Sequence, residues 1–375
     1  MPVDQCGDVF CQSLERASYC KANGFCRGSN LPCKCAEPTP AMTTSAKPAT
    51  FLSTTQGLTT TRVNVPTTTL APTPATSQGV LLKYRQLKKS LYIWNPGNKN
   101  KDDVDWWAWT PRNIQLLVSV CKIHGFSHVM VFTGSVYWDW KSSWSQQKVP
   151  FEDMFITLFG ELRRAGITVT ATFYLNDEPN DMTNYQRAAD VGATFVRFNS
   201  ANPQSAVSGV DGDQEPEKVS AEYLEMNRLL AGGKLQVGAS LKPAWLKPAS
   251  KTPTPLQAVL GPLTSGMFMA YSSDAREVRS LADEMLAQAA SIGASASVAV
   301  ETSWRAPPEE TQWALARSDP SSFVKMLVDL DEHLAKVGKA YQGLVLHDYE
   351  GYFKAMYGVL ATDYPAAEVT ELFSR

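Results

Sequence analysis

The chain has 375 residues, a formal net charge of −2 and a hydrophobic content of 44%. This length allows more than one domain with a sizeable core, and the nearly neutral charge indicates neither nucleic acid nor an anionic membrane as a partner. No apolar run reaches the roughly 18 residues that a membrane helix needs, so we expect no membrane association.

Six of the seven cysteines lie within residues 1–35, separated by gaps of four, eight, five, six and one residues. A segment this short cannot bury enough apolar surface to fold without cross-links, so we expect three disulfides formed in an oxidising compartment. The sequence leaves all fifteen pairings open. The first residues lack the charged and apolar regions of a signal peptide. We therefore expect that a signal peptide has been removed, that Met1 stands in its place, and that the protein is secreted and extracellular.

Residues 36–80 are rich in Thr, Pro and Ala and almost free of acidic residues. This composition cannot form a packed core and is typical of a disordered, O-glycosylated linker. By analogy with modular secreted enzymes, the 1–35 module is expected to bind carbohydrate, and the linker to tether it to the domain that follows.

Short apolar strands alternate with amphipathic helices over residues 81–375. Eight strands are predicted, and a helix follows each of them except the fifth, which leads into a Pro/Thr-rich loop. Parallel strands joined by helices, eight times over, predict an α/β fold of the closed (β/α)8 or TIM-barrel type. The segment 193–200 has strand composition, but it is interpreted as the end of a helix because too few residues separate it from the fourth strand. The predicted strands are "LYIWNP", "HVMVFTG", "TVTATFYL", "VSGVDGD", "LQVGASLK", "GMFMAYSS", "ASVAVETSW" and "GLVLHDYEG".

The fourth strand runs into an acidic stretch, "SGVDGDQEPE". Asp211, Asp213 and Glu215 alternate, and alternate residues of a strand point to the same side, which here is the barrel axis. Like charges packed in a barrel mouth raise at least one pKa, and a carboxylic acid that stays protonated near neutral pH can act as a general acid. Two other interpretations are a hydrated loop and a Ca²⁺ site that includes Glu217.

The stretch "SGVDGDQE" resembles the D-G-x-D-x-D-x-E signature on the fourth barrel strand of family 18 chitinases and related endoglycosidases. Ser208 stands where that family has its first Asp. The resemblance implies that Glu215 is the acid and that Asp213 positions the N-acetyl group of the substrate. The sixth strand resembles the M-x-Y-D element of the family, with Tyr271 present and Ser272 in place of the Asp. The third strand lacks the S-x-G-G pattern, and the last strand has "LHDYEGY" where the family usually has a Trp.

The tetrapeptide "DQEP" also resembles the Asn-Glu-Pro end of strand four in the retaining clan of cellulases, mannanases and β-glucanases, with Gln214 in place of the Asn. That resemblance again implies Glu215 as the acid. It adds Glu301, at the end of strand seven, as the nucleophile or base. A carboxyl separation of about 5 Å would predict retention of configuration, and a wider one inversion. The two resemblances disagree about Glu301.

Further candidates for substrate binding lie at predicted strand ends and in the loops that follow them, because barrel enzymes bind their substrates at that face. Aromatic rings there can stack on the C–H faces of sugars, and polar groups can bind the hydroxyls. We expect no cofactor and no metal ion. Cys121 is expected to be a buried free thiol. The predicted substrate-binding residues are Asp211, Trp94, Trp138, Tyr174, Asp177, Lys242, Tyr271, His347 and Asp348.

Together these features predict a secreted, monomeric, endo-acting glycoside hydrolase that cleaves a structural polysaccharide of the chitin or β-glucan type. The departures from both motifs also fit a non-catalytic carbohydrate-binding protein on a degenerate barrel. A third hypothesis is a cell-wall or adhesion protein in which the barrel is only a scaffold.

Overall fold

The structure is a computed structural model, and it describes residues 75–94, 109–137, 140–144, 146–176, 180–232, 234–246 and 255–364. The predicted cysteine-rich module 1–35 lies outside these residues. So does most of the predicted linker 36–80, of which the last residues belong to the first described helix, α1 (Ala75–Gln86).

Eight parallel strands form a closed barrel in which each strand pairs with the next along the chain. The eighth strand pairs with the first, with Tyr92 opposite His347, and this pairing closes the barrel. The predicted (β/α)8 fold is confirmed, and all eight predicted strands are present. They are β1 (Lys89–Ile93), β2 (His128–Ser135), β3 (Thr168–Tyr174), β4 (Gly209–Gly212), β5 (Gln236–Leu241), β6 (Gly266–Met269), β7 (Ala296–Glu301) and β8 (Tyr341–His347).

Helices surround the barrel, and local sequence sets where they begin and end. Before the second helix, the Thr110 hydroxyl accepts a hydrogen bond from the backbone N–H of Asn113 at 3.2 Å, and Gly125 ends that helix in the left-handed conformation. Beyond α1, the helices are α2 (Pro111–His124), α3 (Lys141–Trp144), α4 (Glu152–Arg164), α5 (Arg187–Ala201), α6 (Ala221–Ala231), α7 (Pro255–Leu260), α8 (Ala275–Ser291), α9 (Trp313–Ser318), α10 (Pro320–Leu334) and α11 (Tyr349–Tyr357).

Two predictions about the helices have different outcomes. Residues 193–200 lie within α5, so their interpretation as helix is confirmed. The prediction of a loop alone after β5 is wrong, because the short helix α7 precedes β6. Three buried apolar residues hold α7 in the core, and its six residues are too few to show a clear helical period in the sequence. They are Leu256, Val259 and Leu260.

Side chains inside the barrel stack in layers, because alternate residues of each strand point inward. The middle layer is apolar and includes Tyr92, Met267 and Val345. A cavity of about 50 Å³ adjoins this layer, and polar residues such as Ser90 and Asp211 line it together with Met267 and Val345. Residues two positions beyond the middle layer therefore reach the barrel mouth, where the strands end.

The main apolar core lies between the strands and the helices. Cys121 on α2 is fully buried there as a free thiol, as predicted. Within the described residues, no helix combines the length and the apolar character needed to cross a membrane.

The start of α11 packs against the chain just after β7, and Gly351 makes this close approach possible. A methyl group at Gly351 would overlap the backbone oxygen of Thr302 and lie 2.7 Å from the Cα atom of Ser303. A backbone clash of this kind cannot be relieved by a side-chain rotation.

We therefore expect Gly351→Ala to lower the free energy of unfolding by about 1–3 kcal/mol, measured by urea denaturation. Gly79→Ala on the exposed face of α1 is the matched control, since its new methyl would meet no heavy atom within 4 Å. That control should be neutral or slightly stabilising, because Ala favours a helix more than Gly does. Equal effects of the two substitutions would contradict the close packing at Gly351.

Candidate active site

Asp213 follows β4 directly and is buried at the barrel mouth, with 6% of its surface exposed. Its Oδ1 atom accepts a hydrogen bond from the hydroxyl of Ser240 on β5. Burial raises the pKa of Asp213, while the Ser240 hydrogen bond and the charge of His347 act in the opposite direction. The hydroxyls of Tyr92 and Tyr174 also favour the ionised form. Asp213 is therefore a shielded carboxyl group held by polar neighbours from several strands.

Glu215 lies two residues further along and reaches solvent, with 24% of its side chain exposed. Burial, followed by the charge of Asp213, raises the pKa of Glu215 to about 7, although Lys242 and His347 lower it. The Lys242 ammonium lies 3.5 Å from Oε2 of Glu215 and donates a 2.6 Å hydrogen bond to its backbone oxygen. A carboxyl group with this pKa holds its proton near neutral pH and can still release it, as general acid catalysis requires.

The loop that carries Glu215 is fixed by two buried side chains. Gln214 accepts a 2.8 Å hydrogen bond from the backbone N–H of Leu175, so it holds the β4 loop against the β3 loop. Trp245 donates a 3.2 Å hydrogen bond from Nε1 to the backbone oxygen of Pro216. Both residues therefore support the loop through backbone contacts.

Glu301 ends β7 and forms an ion pair with His347, which ends β8. The Oε2 atom of Glu301 lies 2.7 Å from Nδ1 of His347, and its Oε1 atom accepts a 2.6 Å hydrogen bond from the backbone N–H of Ser303. Burial is the largest single effect and lowers the pKa of His347, but the charge and hydrogen bond of Glu301, together with the charges of Asp348 and Asp213, raise the pKa to about 9. His347 therefore carries a positive charge at neutral pH.

Aromatic rings form the floor of the mouth. The Trp94 ring lies 4.6 Å from that of Phe132 and 5.2 Å from that of Tyr174, measured between centroids. The Tyr271 ring lies 5.8 Å from that of His347, and burial raises the pKa of Tyr271 well above its usual value. The charges of Glu301 and Glu215 act on Tyr271 in the same direction, so this neutral phenol lies near both carboxyl groups.

The structure brings together most of the predicted site residues. At the mouth it places Glu215, Asp213, Glu301, Trp94, Tyr174, Lys242, Tyr271 and His347. Trp138 and Asp177 lie outside the described residues.

Two predicted binding residues have other places in the fold. Asp211 lies one layer below the mouth, 1% exposed, because β4 is still inside the barrel at that residue. Its carboxyl group fills the space above Gly238, where an added Cβ atom would lie 2.6 Å from Oδ1. Asp348 caps α11, since its Oδ1 atom accepts a 2.7 Å hydrogen bond from the backbone N–H of Gly351.

Some aromatic residues of the loops that follow the strands belong to the core. Trp140 is fully buried, and its ring centroid lies 5.6 Å from that of Phe195 on α5. Trp245 is also buried, against Tyr223 on α6. A Trp-rich loop sequence does not distinguish such packing residues from residues that face a ligand.

Sequence reasoning missed Tyr92 and Ser240, which both contribute to the surroundings of Asp213. Tyr92 lies two residues before Trp94, and Ser240 two residues before Lys242. Alternate residues of a strand point to the same side, and this rule identified the acids of the fourth strand. The same rule applied to β1 and β5 would have identified Tyr92 and Ser240 as inward-facing. No group of three or more potential metal-ligating side chains occurs among the residues that the structure describes.

The comparisons with known proteins identify a fold. No protein-family model matches the sequence, and no similar sequence was found among curated proteins. A structure assigned as an alpha-L-fucosidase from Bacteroides thetaiotaomicron has 10% identity and a TM-score of 0.52, covering 77% of this chain and 93% of that chain. A GH18 chitinase from Pseudoalteromonas aurantia has 9% identity and a TM-score of 0.47, covering 76% of this chain and 99% of that chain.

A GH18 chitinase from Cycas revoluta, solved with (GlcNAc)3, has 11% identity and a TM-score of 0.44, covering 76% of this chain and 98% of that chain. The proteins named in these matches are glycoside hydrolases. The chain is a diverged (β/α)8 barrel with the architecture found in such enzymes.

The ion pair between Lys242 and Glu215 leads to a prediction about proton affinity. Lys242→Met keeps most of the side-chain volume but removes the charge that favours ionised Glu215, so the pKa of Glu215 should rise above about 7. The measurement is a ¹³C-NMR titration of the side-chain carboxyl group. Lys234→Met at an exposed position is the control and should leave this pKa unchanged. A lower pKa in Lys242→Met would contradict the arrangement.

The raised pKa of Glu215 also predicts how stability depends on pH. The folded state binds this proton more tightly than the unfolded chain, so the stability that Glu215 contributes falls as pH rises from about 4.5 through 7. Glu215→Gln should therefore raise the free energy of unfolding at pH 8 by about 1–3 kcal/mol, and by much less at pH 5. The check is urea denaturation at both pH values, and a variant less stable than the wild type at pH 8 would contradict it.

Proposed function

We propose that this protein is a glycoside hydrolase with Glu215 as the general acid and base. The observation that carries the proposal is the position of Glu215 at the mouth of the barrel, partly exposed, with its pKa raised to about 7 by burial and by Asp213. A (β/α)8 barrel of this architecture is compatible with that chemistry, since such barrels place reactive groups at the strand ends.

The chemistry begins with proton transfer from the Glu215 carboxyl group to the glycosidic oxygen, while the bond from that oxygen to the anomeric carbon breaks. Lys242, 3.5 Å away, stabilises the carboxylate that is left. A water molecule then completes hydrolysis by adding its hydroxyl to the sugar and returning its proton to Glu215. Asp213 keeps the proton affinity of Glu215 high enough for the first step.

The proposed substrate is a structural polysaccharide of the chitin or β-glucan type. The aromatic floor formed by Trp94, Tyr174 and Tyr271 suits the C–H faces of sugar rings, and the carboxyl groups beside it suit their hydroxyls. We further propose that the enzyme is secreted, acts as a monomer within polymer chains, and uses the cysteine-rich segment 1–35 to stay on the polymer.

Two routes remain for stabilising the sugar after the leaving group departs. Glu301 could act as the nucleophile or base, as the retaining-clan resemblance implies. Asp213 could instead orient an N-acetyl group of the substrate, as the family 18 resemblance implies. Glu215 has the same role in both routes, so its test does not depend on the choice.

Glu215→Gln should reduce reducing-sugar release by at least about 100-fold, because Gln cannot donate the proton. The assay uses chitin, β-glucans, mannan and galactosaminogalactan, with polymer pull-down as the measure of binding, which should persist. Glu217→Gln, two residues along and exposed, is the matched control and should keep full activity. A Glu215→Gln variant as active as this control would rule out the assigned role.

A non-catalytic carbohydrate-binding protein is the second candidate, and one observation favours it. Ser272, at the position of the family 18 Asp, donates its hydroxyl to Glu277 at 2.7 Å, so no carboxyl group at this position joins the mouth. This candidate predicts that the wild type binds one of these polymers and releases no sugar from any of them.

A further inference from the structure

The carboxyl group of Glu301 is already engaged by the protein. One oxygen accepts from the backbone N–H of Ser303 and the other pairs with His347, and only 5% of the side chain is exposed. A nucleophile must present an oxygen to the anomeric carbon at the open side of the mouth, and a general base must contact the attacking water. Glu301 is instead oriented along the barrel rim toward the neighbouring strand.

His347 has the opposite orientation. Its Nδ1 atom is directed to Glu301, and 16% of its side chain is exposed. Among the described residues, the Nε2 atom of His347 has no hydrogen-bond partner. It is also absent from the fully buried polar atoms without a partner, so Nε2 is accessible. Nε2 therefore faces the open mouth.

Three aromatic rings surround the imidazole of His347. The ring centroids of Tyr92, Tyr271 and Trp94 lie 4.8, 5.8 and 6.2 Å from it, respectively. The His347 imidazolium is thus a charged hydrogen-bond donor surrounded by aromatic rings. A sugar ring stacked on this floor would place its polar edge within reach of Nε2.

We propose that His347 contacts the substrate, donating a hydrogen bond from Nε2 to a sugar oxygen, and that Glu301 is a positioning residue that acts through His347. This inference rests on the proposed function, and it replaces the expectation that Glu301 is the nucleophile or base. The arrangement is that of a carboxylate that fixes the orientation and charge of a histidine, with the far ring nitrogen left for the substrate.

Charged and titratable groups from several strands face His347. They are Glu301 on β7, Asp213 and Glu215 after β4, Asp348 after β8, Tyr92 on β1 and Tyr271 after β6. The carboxylates among them favour the imidazolium, while burial opposes it. Both ring nitrogens of His347 therefore carry protons throughout the pH range in which Glu215 titrates, and Nε2 remains a hydrogen-bond donor there.

The first experiment measures the charge of His347 directly in the full chain. The chain has four histidines, so single His→Gln variants suffice to assign the imidazole resonances in ¹H–¹⁵N NMR. We expect His347 to titrate near pH 9 in the wild type. In Glu301→Gln its pKa should fall by about 2 units, roughly a 100-fold loss of proton affinity. An unchanged pKa in that variant would overturn the positioning role.

The second experiment uses the same resonances to detect substrate and needs no turnover. Chitin and β-glucan oligosaccharides are titrated into Glu215→Gln, and we expect the Nε2 signal of His347 to shift on binding. His333 on α10, whose Nε2 atom lies 2.8 Å from Oδ1 of Asp283 on α8, provides the control signal and should not shift. If an oligosaccharide binds and the Nε2 signal of His347 does not move, the proposed contact is wrong. It is also wrong if neither oligosaccharide binds.

The third experiment separates a positioning role from a nucleophile. Glu301→Gln should keep measurable hydrolysis with an altered pH profile, and His347→Gln should raise KM more than it lowers kcat. His333→Gln should match the wild type.

Glu301→Ala should gain nothing from added azide, whereas formation of a glycosyl azide would identify Glu301 as the nucleophile and contradict the proposal. If no polymer is hydrolysed by the wild type, the proposed function fails, while the two NMR experiments still decide the role of His347.

Discussion

The site depends on one constraint: the carboxyl groups at the end of β4 are buried away from water. A closed barrel forces alternate residues of β4 inward, and the two acids that follow the strand, Asp213 and Glu215, meet neighbours from β1, β5 and β8. Desolvation favours the protonated form of a carboxyl group, and the two acids add mutual repulsion. Lys242 and His347 limit the shift, so Glu215 titrates near neutral pH instead of far above it.

The second feature of the mouth is the distribution of positive charge. His347 and Lys242 are each bound to a carboxyl group, and each lies at the end of a strand. These pairs differ in exposure, because 24% of the Glu215 side chain is exposed and only 5% of that of Glu301. The exposed acid is available for proton exchange, whereas the buried one holds its histidine. Two glutamates at corresponding strand ends can therefore have different roles.

Much of the fold follows from the sequence, because eight strand-and-helix units leave a strong periodic signal and a closed barrel is the simplest way to bury them. The inward position of Glu215 follows from the same period of two. What the sequence does not contain is the depth of each residue in the barrel. Asp211 and Asp213 have the same spacing and chemistry, yet one lies below the mouth and the other in it. The pairing of Glu301 with His347 likewise depends on the contact between β7 and β8, which no local motif encodes.

The most direct test of the account is the pKa of the Glu215 carboxyl group in the folded protein. A ¹³C-NMR titration, with Glu215→Gln identifying the resonance, should give a value of about 7. A value near 4.5, that of a carboxyl group in water, would mean that the barrel mouth does not shield this side chain. The proposed acid catalysis would then lose its physical basis.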